Sequence, residues 1–323
     1  MQEMNKISGQ DEELLVRVAW EYYINQSSQA ELAEKMGISR PTVSRLIKRA
    51  RESGIVNISI NSDFGPCIEL EERLKSKFNI KYAAIVPTGK LSSVDVYGAL
   101  GHAAARYVNS NLKRLRSIAV GWGRTIASIP SHARIDPGVT EHSLTEVVEM
   151  IGNFTSTGKS LHSLRLSLNL AQAYGATASV LSAPALTVDA ATCETLKSHT
   201  QIKSVFDKAR QADLAIASLG TVDKSSTLFR LGLLNDDEFE ELVHLGAVGE
   251  VLGRFFDGSG RAIPTSLDDR LVGLTLEELV RIPAVMIVAS GGQKVRPIRA
   301  ALEGGIITHL VTDENTAIGV LET

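Results

Sequence analysis

Six short apolar segments punctuate the chain from residue 82 onward, at 82–86, 117–121, 146–151, 213–219, 284–289 and 309–311. Stretches of helical length separate most of them, among them 95–109, 161–174, 235–244 and 295–303. Segments this short and this continuously apolar suit strands buried on both faces, as in a parallel sheet whose crossovers lay helices over both sides. The pattern therefore predicts a doubly wound, mainly parallel α/β domain, and such sheets bind ligands at the carboxyl ends of their strands.

Three of those ends carry small or glycine-rich loops. They are Gly121, Trp122, Gly123, Arg124 and Thr125 after SIAV; Gly220, Thr221 and Val222 after LAIASL; and Ser290, Gly291, Gly292, Gln293 and Lys294 after VMIVA. Glycine lets backbone N–H groups approach an anion, and a helix that follows adds its positive N-terminal end. Thr125 adds a hydroxyl and Lys294 a charge. A single loop of this kind is usually a turn, but three along one sheet edge favour a small phosphorylated or polyhydroxylated ligand. Trp122 either offers a flat face to a sugar ring or fills the core. Glu250, in GAVGEVLGRFFD, either accepts hydrogen bonds from ligand hydroxyls or pairs with Arg254, four residues on.

The first 60 residues read differently. Leu14, Leu15, Val18, Ala19 and Tyr22 recur at helical spacing and predict a helix over 12–24. Ser28 with Glu31 fits a capping box that starts a second helix; Leu32, Ala33 and Met36 form its buried face, and Gly37 ends it. Ser39 caps a third helix with Pro41 in its first turn, buried through Val43, Leu46, Ile47 and Ala50 and closed by Gly54. Val56, Ile58 and Ile60 then alternate with Asn57, Ser59 and Asn61, as in a half-buried strand that is either a wing or a connector. The turn-forming run NSDFGP, 61–66, sets the boundary, and a helix over 68–78 opens the second domain. The expected division is a winged helix-turn-helix domain at 1–60, a linker at 61–67 and an effector-binding domain at 68–323.

Helix, short glycine-containing turn, helix is the helix-turn-helix arrangement. The formal net charge of −3 over 323 residues conceals a local concentration: Arg40, Arg45, Lys48, Arg49 and Arg51 sit in one helix with no acid between Arg40 and Arg51. A recognition helix turns its N-terminal residues to base edges in the major groove. Ser39, Arg40, Thr42, Ser44 and Arg45 lie at that end, whereas Lys48 and Arg49 suit phosphate contacts that position without reading sequence. The competing reading is the solvated face of an ordinary surface helix.

Other classes are excluded or disfavoured. A composition 44% hydrophobic and 22% charged is that of a globular protein. No apolar run approaches the ~20 residues that span a bilayer, and the start, MQEMNKISGQDEE, lacks the basic-then-apolar order of a secretory signal. Cys67 and Cys193 form no CxxC pair, so neither a disulfide framework nor a cysteine zinc site is expected. The expected setting is the cytoplasm, with no cofactor, metal or membrane partner.

The stretches VAWEYYINQSSQAELAEKMGISRPTVSRLIKRARESGIVNISI, GWGRT, SLGTV, GAVGEVLGRFFD, ASGGQKVRPIRAALEGG and HLVTDENTA, in this order, resemble those of the SorC/DeoR-type sugar-binding transcriptional regulators. The resemblance covers nearly the whole chain. It implies a winged-helix DNA-binding domain joined to a domain resembling the sugar-phosphate isomerase/deaminase fold. It further implies a homo-oligomer, commonly a tetramer, and an effector sugar, sugar alcohol or sugar phosphate that alters binding to operator DNA of a carbohydrate uptake or catabolism operon. By position, Gly121, Trp122, Gly123 and Thr125 resemble the family's effector loop, and Lys294 falls where the family places a lysine near the phosphate. Glu250 stands where many members have Asp, and Ser218 where glycine is common.

The alternative is a sugar-phosphate isomerase-like enzyme with an appended DNA-binding domain. Such enzymes need a carboxylate within reach of the sugar carbons. Their Asp-Gly-Ala-Asp-Glu run is absent, DGSG at 257–260 is only turn-like, and His102, His162 and His199 are isolated. No enzymatic activity is expected.

Overall fold

A computed structural model describes residues 9–56, 65–89, 93–135, 143–154, 163–230 and 232–323. The chain divides into two compact units, Met1–Ser62 and Asp63–Thr323.

In the first unit, helix α1, Gly9–Ala19, runs into a π-helical turn, Trp20–Ile24, where the apolar spacing predicts one regular helix. The wider turn is closed by Asn25 N–H donating to Trp20 O at 3.1 Å. Helix α2, Gln29–Met36, starts on the anticipated Ser28/Glu31 capping box and ends at Gly37, whose φ of 64° lies in the left-handed region that glycine enters without steric cost. Helix α3, Arg40–Glu52, begins at Ser39, whose hydroxyl accepts from Thr42 N–H. Val18, Leu32, Val43 and Ile47 close one side of a small core, and Leu15, Ala19 and Ala50 the other. The expected strand through Ile58 and Ile60, and most of the 61–66 boundary run, lie outside the described residues.

The second unit opens with helix α4, Gly65–Phe78, three residues earlier than the pattern suggests. Its strands are β1 Tyr82–Val86, β2 Ser117–Val120, β3 Glu146–Glu149, β4 Thr177–Ser179, β5 Leu214–Ala217, β6 Gly220–Thr221, β7 Ala247–Val251, β8 Arg254–Asp257, β9 Val285–Val288 and β10 His309–Asp313. Seven form one sheet in the order β1-β10-β9-β5-β2-β3-β4, and every neighbouring pair is parallel. Successive residues serve opposite layers: Ala215, Ala217, Val285 and Ile287 enter one core cluster, while Leu214, Ile216, Met286 and Val288 enter the other. That alternation explains the continuous apolar runs, because both faces of each strand are covered.

Strand β4 and a second, antiparallel sheet β6-β7-β8 are additions to the expected elements. β7 and β8 form a hairpin whose turn, Leu252–Gly253, has φ values of 55° and 77°, the doubly positive geometry that matches strand twist. In the main sheet the chain steps from β2 outward to β3 and β4, then returns to lay β5 against the other side of β2 and continues to β9 and β10. The order of strands therefore reverses between β2 and β5, and a crevice opens outside the carboxyl ends of strands at such a point.

Candidate functional site

Helix α3 is sharply two-sided. Val43, Ile47 and Ala50 are buried, while Arg40, Ser44, Arg45, Lys48 and Arg49 are exposed and Thr42 is half-buried. Ser39 is an exposed cap whose hydroxyl lies 2.8 Å from that of Thr42, so both hydroxyls already help to start the helix. Among the described residues, Arg40, Arg45, Arg49 and Arg51 form no ion pair, and Lys48 makes only a surface contact with Glu52 at 3.6 Å. An exposed pair of this kind contributes roughly 0–1 kcal/mol. The basic side chains are therefore available to an external anion.

In the second unit, the loops after β2, β5 and β9 meet because these strands are neighbours. Trp122, Gly123 and Thr125 from the first, Gly220 and Thr221 from the second, and Ser290 and Lys294 from the third line one cavity of about 130 Å³, together with Glu250 from β7. Thr125 is only 7% exposed; its hydroxyl donates to Val288 O at 2.7 Å and lies 3.1 Å from Ser218 Oγ, so it ties the β2 and β9 ends together. Trp122 combines its two readings: it is largely buried, edge-on to Phe154 with centroids 4.9 Å apart, and still reaches the cavity wall.

Three glycines depart from the expected role. Gly121 does not line the cavity: its N–H donates to Ile216 O at 2.9 Å, and a Cβ there would meet Leu252 Cδ2 at 2.6 Å. Gly291 N–H is taken by Thr316 Oγ1 at 2.8 Å and by Asp313 Oδ2 at 3.2 Å, so it serves as a clamp to the end of β10 rather than an anion cradle. Gly292 is exposed and also off the cavity. Only the β9 loop leads directly into helices, the 3-10 turn Gly292–Lys294 and then Val295–Glu303; the β2 loop leads into irregular turns and the β5 loop into β6. Side chains carry most of the site's polarity.

Glu250 is 6% exposed and does not pair with Arg254. Because the segment is a hairpin rather than a helix, the four-residue spacing does not bring them to one face. Arg254 instead bonds Asp268 at 2.6 Å and the carbonyls of Leu271, Gly273 and Leu274. Glu250 Oε2 accepts from Gly253 N–H at 2.8 Å, and a Cβ at Gly220 would lie 1.8 Å from its Oε1, so the carboxyl rests directly on Gly220. Burial raises the Glu250 pKa, opposed by the Gly253 hydrogen bond and the Lys294 charge. Burial lowers that of Lys294, opposed by Glu250 and Asp223. For Asp223, burial is outweighed by hydrogen bonds from Ser225 and Thr221 and by Lys294, which hold it below its ordinary value.

Arg124, Tyr97, Ser225, Ser226, Thr227, Arg230 and Gln293 also line the cavity, although the sequence does not mark them as binding residues. Arg124 rests on the Tyr97 ring, 5.8 Å from its centroid. With Lys294, the two arginines place three cationic side chains around the space. Arg124 sits in one of the three glycine-containing loops, but Arg230 follows no glycine motif. Among the described residues, no group of His, Cys, Asp or Glu could hold a metal ion, and no helix is long and apolar enough to cross a membrane.

Residues 62–322 match the model of the family described as "Putative sugar-binding domain", and residues 17–59 match that of a helix-turn-helix domain. The transcriptional regulator LsrR of Klebsiella pneumoniae is 32% identical over 315 residues, covering 96% of this chain and 93% of that one. LsrR of Escherichia coli K12 is 32% identical, with 97% and 96% covered. Among solved structures, the full-length sorbitol operon regulator SorC from Klebsiella pneumoniae superposes with a TM-score of 0.73 at 27% identity, covering 96% of this chain and 99% of that chain. Helix-turn-helix unit and sugar-binding unit together define a regulator of the two-part, ligand-responsive class. The chain belongs to the SorC/DeoR-type family of sugar-binding regulators.

Proposed function

We propose that the protein is a DNA-binding transcriptional regulator of a carbohydrate uptake or catabolism operon, whose operator affinity is set by a small sugar, sugar alcohol or sugar phosphate. The observation that carries the reading is the cavity at the β2/β5 reversal. Arg124, Arg230 and Lys294 supply positive charge, Glu250 a buried carboxyl, and Trp122 an apolar wall. Anionic groups on the effector pair with the three cations, and its hydroxyls hydrogen-bond to Glu250 and to Ser225, Ser226 and Thr227. Backbone groups of Gly123, Gly220 and Thr221 complete the lining.

On the DNA side, Arg40, Ser44 and Arg45 read base edges, with Thr42 and Ser39 setting the start of α3, while Lys48 and Arg49 hold phosphates. The protein acts as a homo-oligomer, a tetramer by analogy with the family, so that paired α3 helices reach half-sites roughly 34 Å apart. The division at 1–60, 61–67 and 68–323 separates the DNA-binding from the effector-binding part. Operator DNA places the protein in the cytoplasm. The second unit shares the architecture of sugar-phosphate isomerases without their chemistry, and no cofactor is used.

A thermal-shift panel of sugars, sugar alcohols and their phosphates identifies the effector class, since a ligand that binds only the folded state raises Tm by mass action. A stabilising compound that also shifts affinity for a duplex selected from a random pool supports the reading. Turnover of a sugar phosphate by the purified protein, without any effect on DNA binding, would favour the isomerase-like alternative.

A further inference from the structure

Leu252 is a leucine in a backbone region that leucine avoids. Its φ is 55°, at the tip of the β7–β8 hairpin, where glycine or asparagine is accommodated at less cost. Residues held in such conformations concentrate at ligand clamps and are retained when the surroundings over-determine them. The surroundings here do so. Leu252 is 3% exposed and borders the cavity, and its Cδ2 occupies the space that a Cβ at Gly121 would need, 2.6 Å away. Gly121 contributes neither a lining surface nor a free N–H, since that N–H donates to Ile216 O. The absence of a side chain at Gly121 therefore makes room for Leu252. The hairpin tip is fixed from the polar side as well, through Gly253 N–H on Glu250 Oε2.

We propose that Leu252 is the specificity residue that sets the carbon-chain length of the effector, as the inner apolar wall of the cavity, with Gly121 as the recess that lets this wall stand. The proposal rests on the effector-site reading above and deepens it. Glu250 and Leu252 come from one hairpin and have complementary roles, the carboxyl recognising a hydroxyl and the leucine stopping the chain. The cavity, about 130 Å³, is smaller than the ~300–1,000 Å³ of sites for drug-sized ligands, so one displaced methyl group changes what fits.

The test measures calorimetric affinities of the full chain for free and phosphorylated sugars of increasing length: glyceraldehyde, erythrose, ribose, fructose and sedoheptulose with their terminal phosphates. Wild-type affinity is expected to fall off beyond one chain length. Leu252→Ala should move that fall-off to a longer sugar, with a gain of about 10-fold or more for the first excluded compound, the scale of one or two methylenes in an apolar pocket. Gly121→Ala should push Leu252 inward and move the fall-off shorter, and the double variant Gly121→Ala/Leu252→Ala should recover the long-chain profile. Leu252→Gly, which enters the left-handed backbone region without steric cost, supplies a second folded variant with the wall removed. Identical length profiles in wild type and folded Leu252 variants would overturn the proposal while leaving the effector site intact. Failure of every panel member to bind wild type, free or phosphorylated, would overturn both.

Discussion

A carboxyl and an ammonium group that bury themselves in the same small cavity have a use for each other or for a third party. Glu250 and Lys294 are each shifted toward neutrality by burial and pulled back by the other's charge, so a ligand that pairs with both offsets the desolvation of each. Lys294→Ala is expected to weaken the response to effector by at least 10-fold, leaving DNA binding in its absence unchanged. An unaltered effector titration would remove Lys294 from the site. Gly220→Ala should act through its neighbour: the added methyl would meet Glu250 Oε1 at 1.8 Å, displacing the carboxyl. Loss of effector binding with a normal circular dichroism spectrum is the expected result. Arg45→Ala should relax operator selection by roughly 1–3 kcal/mol at one base position while the fold persists; identical selectivity would exclude it from base reading. His309 gives a separate pH signature. It is buried between Tyr107 and Thr308, with its nitrogens 2.8 Å from each hydroxyl, and burial, then the Lys81 charge, lowers its pKa to about 4. The unfolded residue titrates near 6.5, so the neutral form that the fold favours contributes full stability above pH 6.5, lost progressively as pH falls to about 4. The contribution is on the order of 3 kcal/mol. Denaturant midpoints measured across that window should drop in wild type and drop less in His309→Gln.

Helix α3 depends on its first residue and its buried stripe. Ser39→Ala should cost about 1 kcal/mol by removing the acceptor for Thr42 N–H, and Ile47→Ala about 2–5 kcal/mol by opening the small core, both read as shifts in the melting of the DNA-binding unit. These elements are legible in the sequence because their signals are local: Ser28 with Glu31, Gly37, Ser39 with Pro41. The main sheet is legible for a different reason. Strands covered on both faces leave unbroken runs such as VMIV, and glycine follows where they end. The second sheet leaves no comparable trace. β6 spans Gly220–Thr221 alone, and Gly249 interrupts the alternation within β7, so the one sign is Leu252–Gly253 between two strand-like pieces. The same limit applies within the site. Gly121 and Gly291 carry the motif of an anion cradle, yet their N–H groups are consumed by Ile216 and Thr316, a fact that exists only once the strands are aligned. Arg230 reaches the cavity through the path of the connection after β6, which no short motif encodes.

At the scale of the whole molecule, a chain of net charge −3 carries in helix α3 a stretch from Arg40 to Arg51 with five basic residues and no acid. The homo-oligomer proposed above would present that helix more than once. Operator affinity should therefore fall with salt at a slope of about −0.9 per phosphate neutralised, steeper than a single helix would give. A flat salt response would argue against binding through α3. Control by effector further requires that the ligand favour one conformational state of the protein over another, because only differential affinity shifts such an equilibrium. The most direct test of this central claim is the dissociation constant of a selected operator duplex, measured by fluorescence anisotropy with and without the sugar compound that gives the largest Tm increase, in wild type and in Lys294→Ala. The expected result is a change of roughly 5–150-fold in wild type, the usual range of coupling between two sites, and little or none in the variant. An operator affinity that stays constant while the compound saturates the second unit would contradict it.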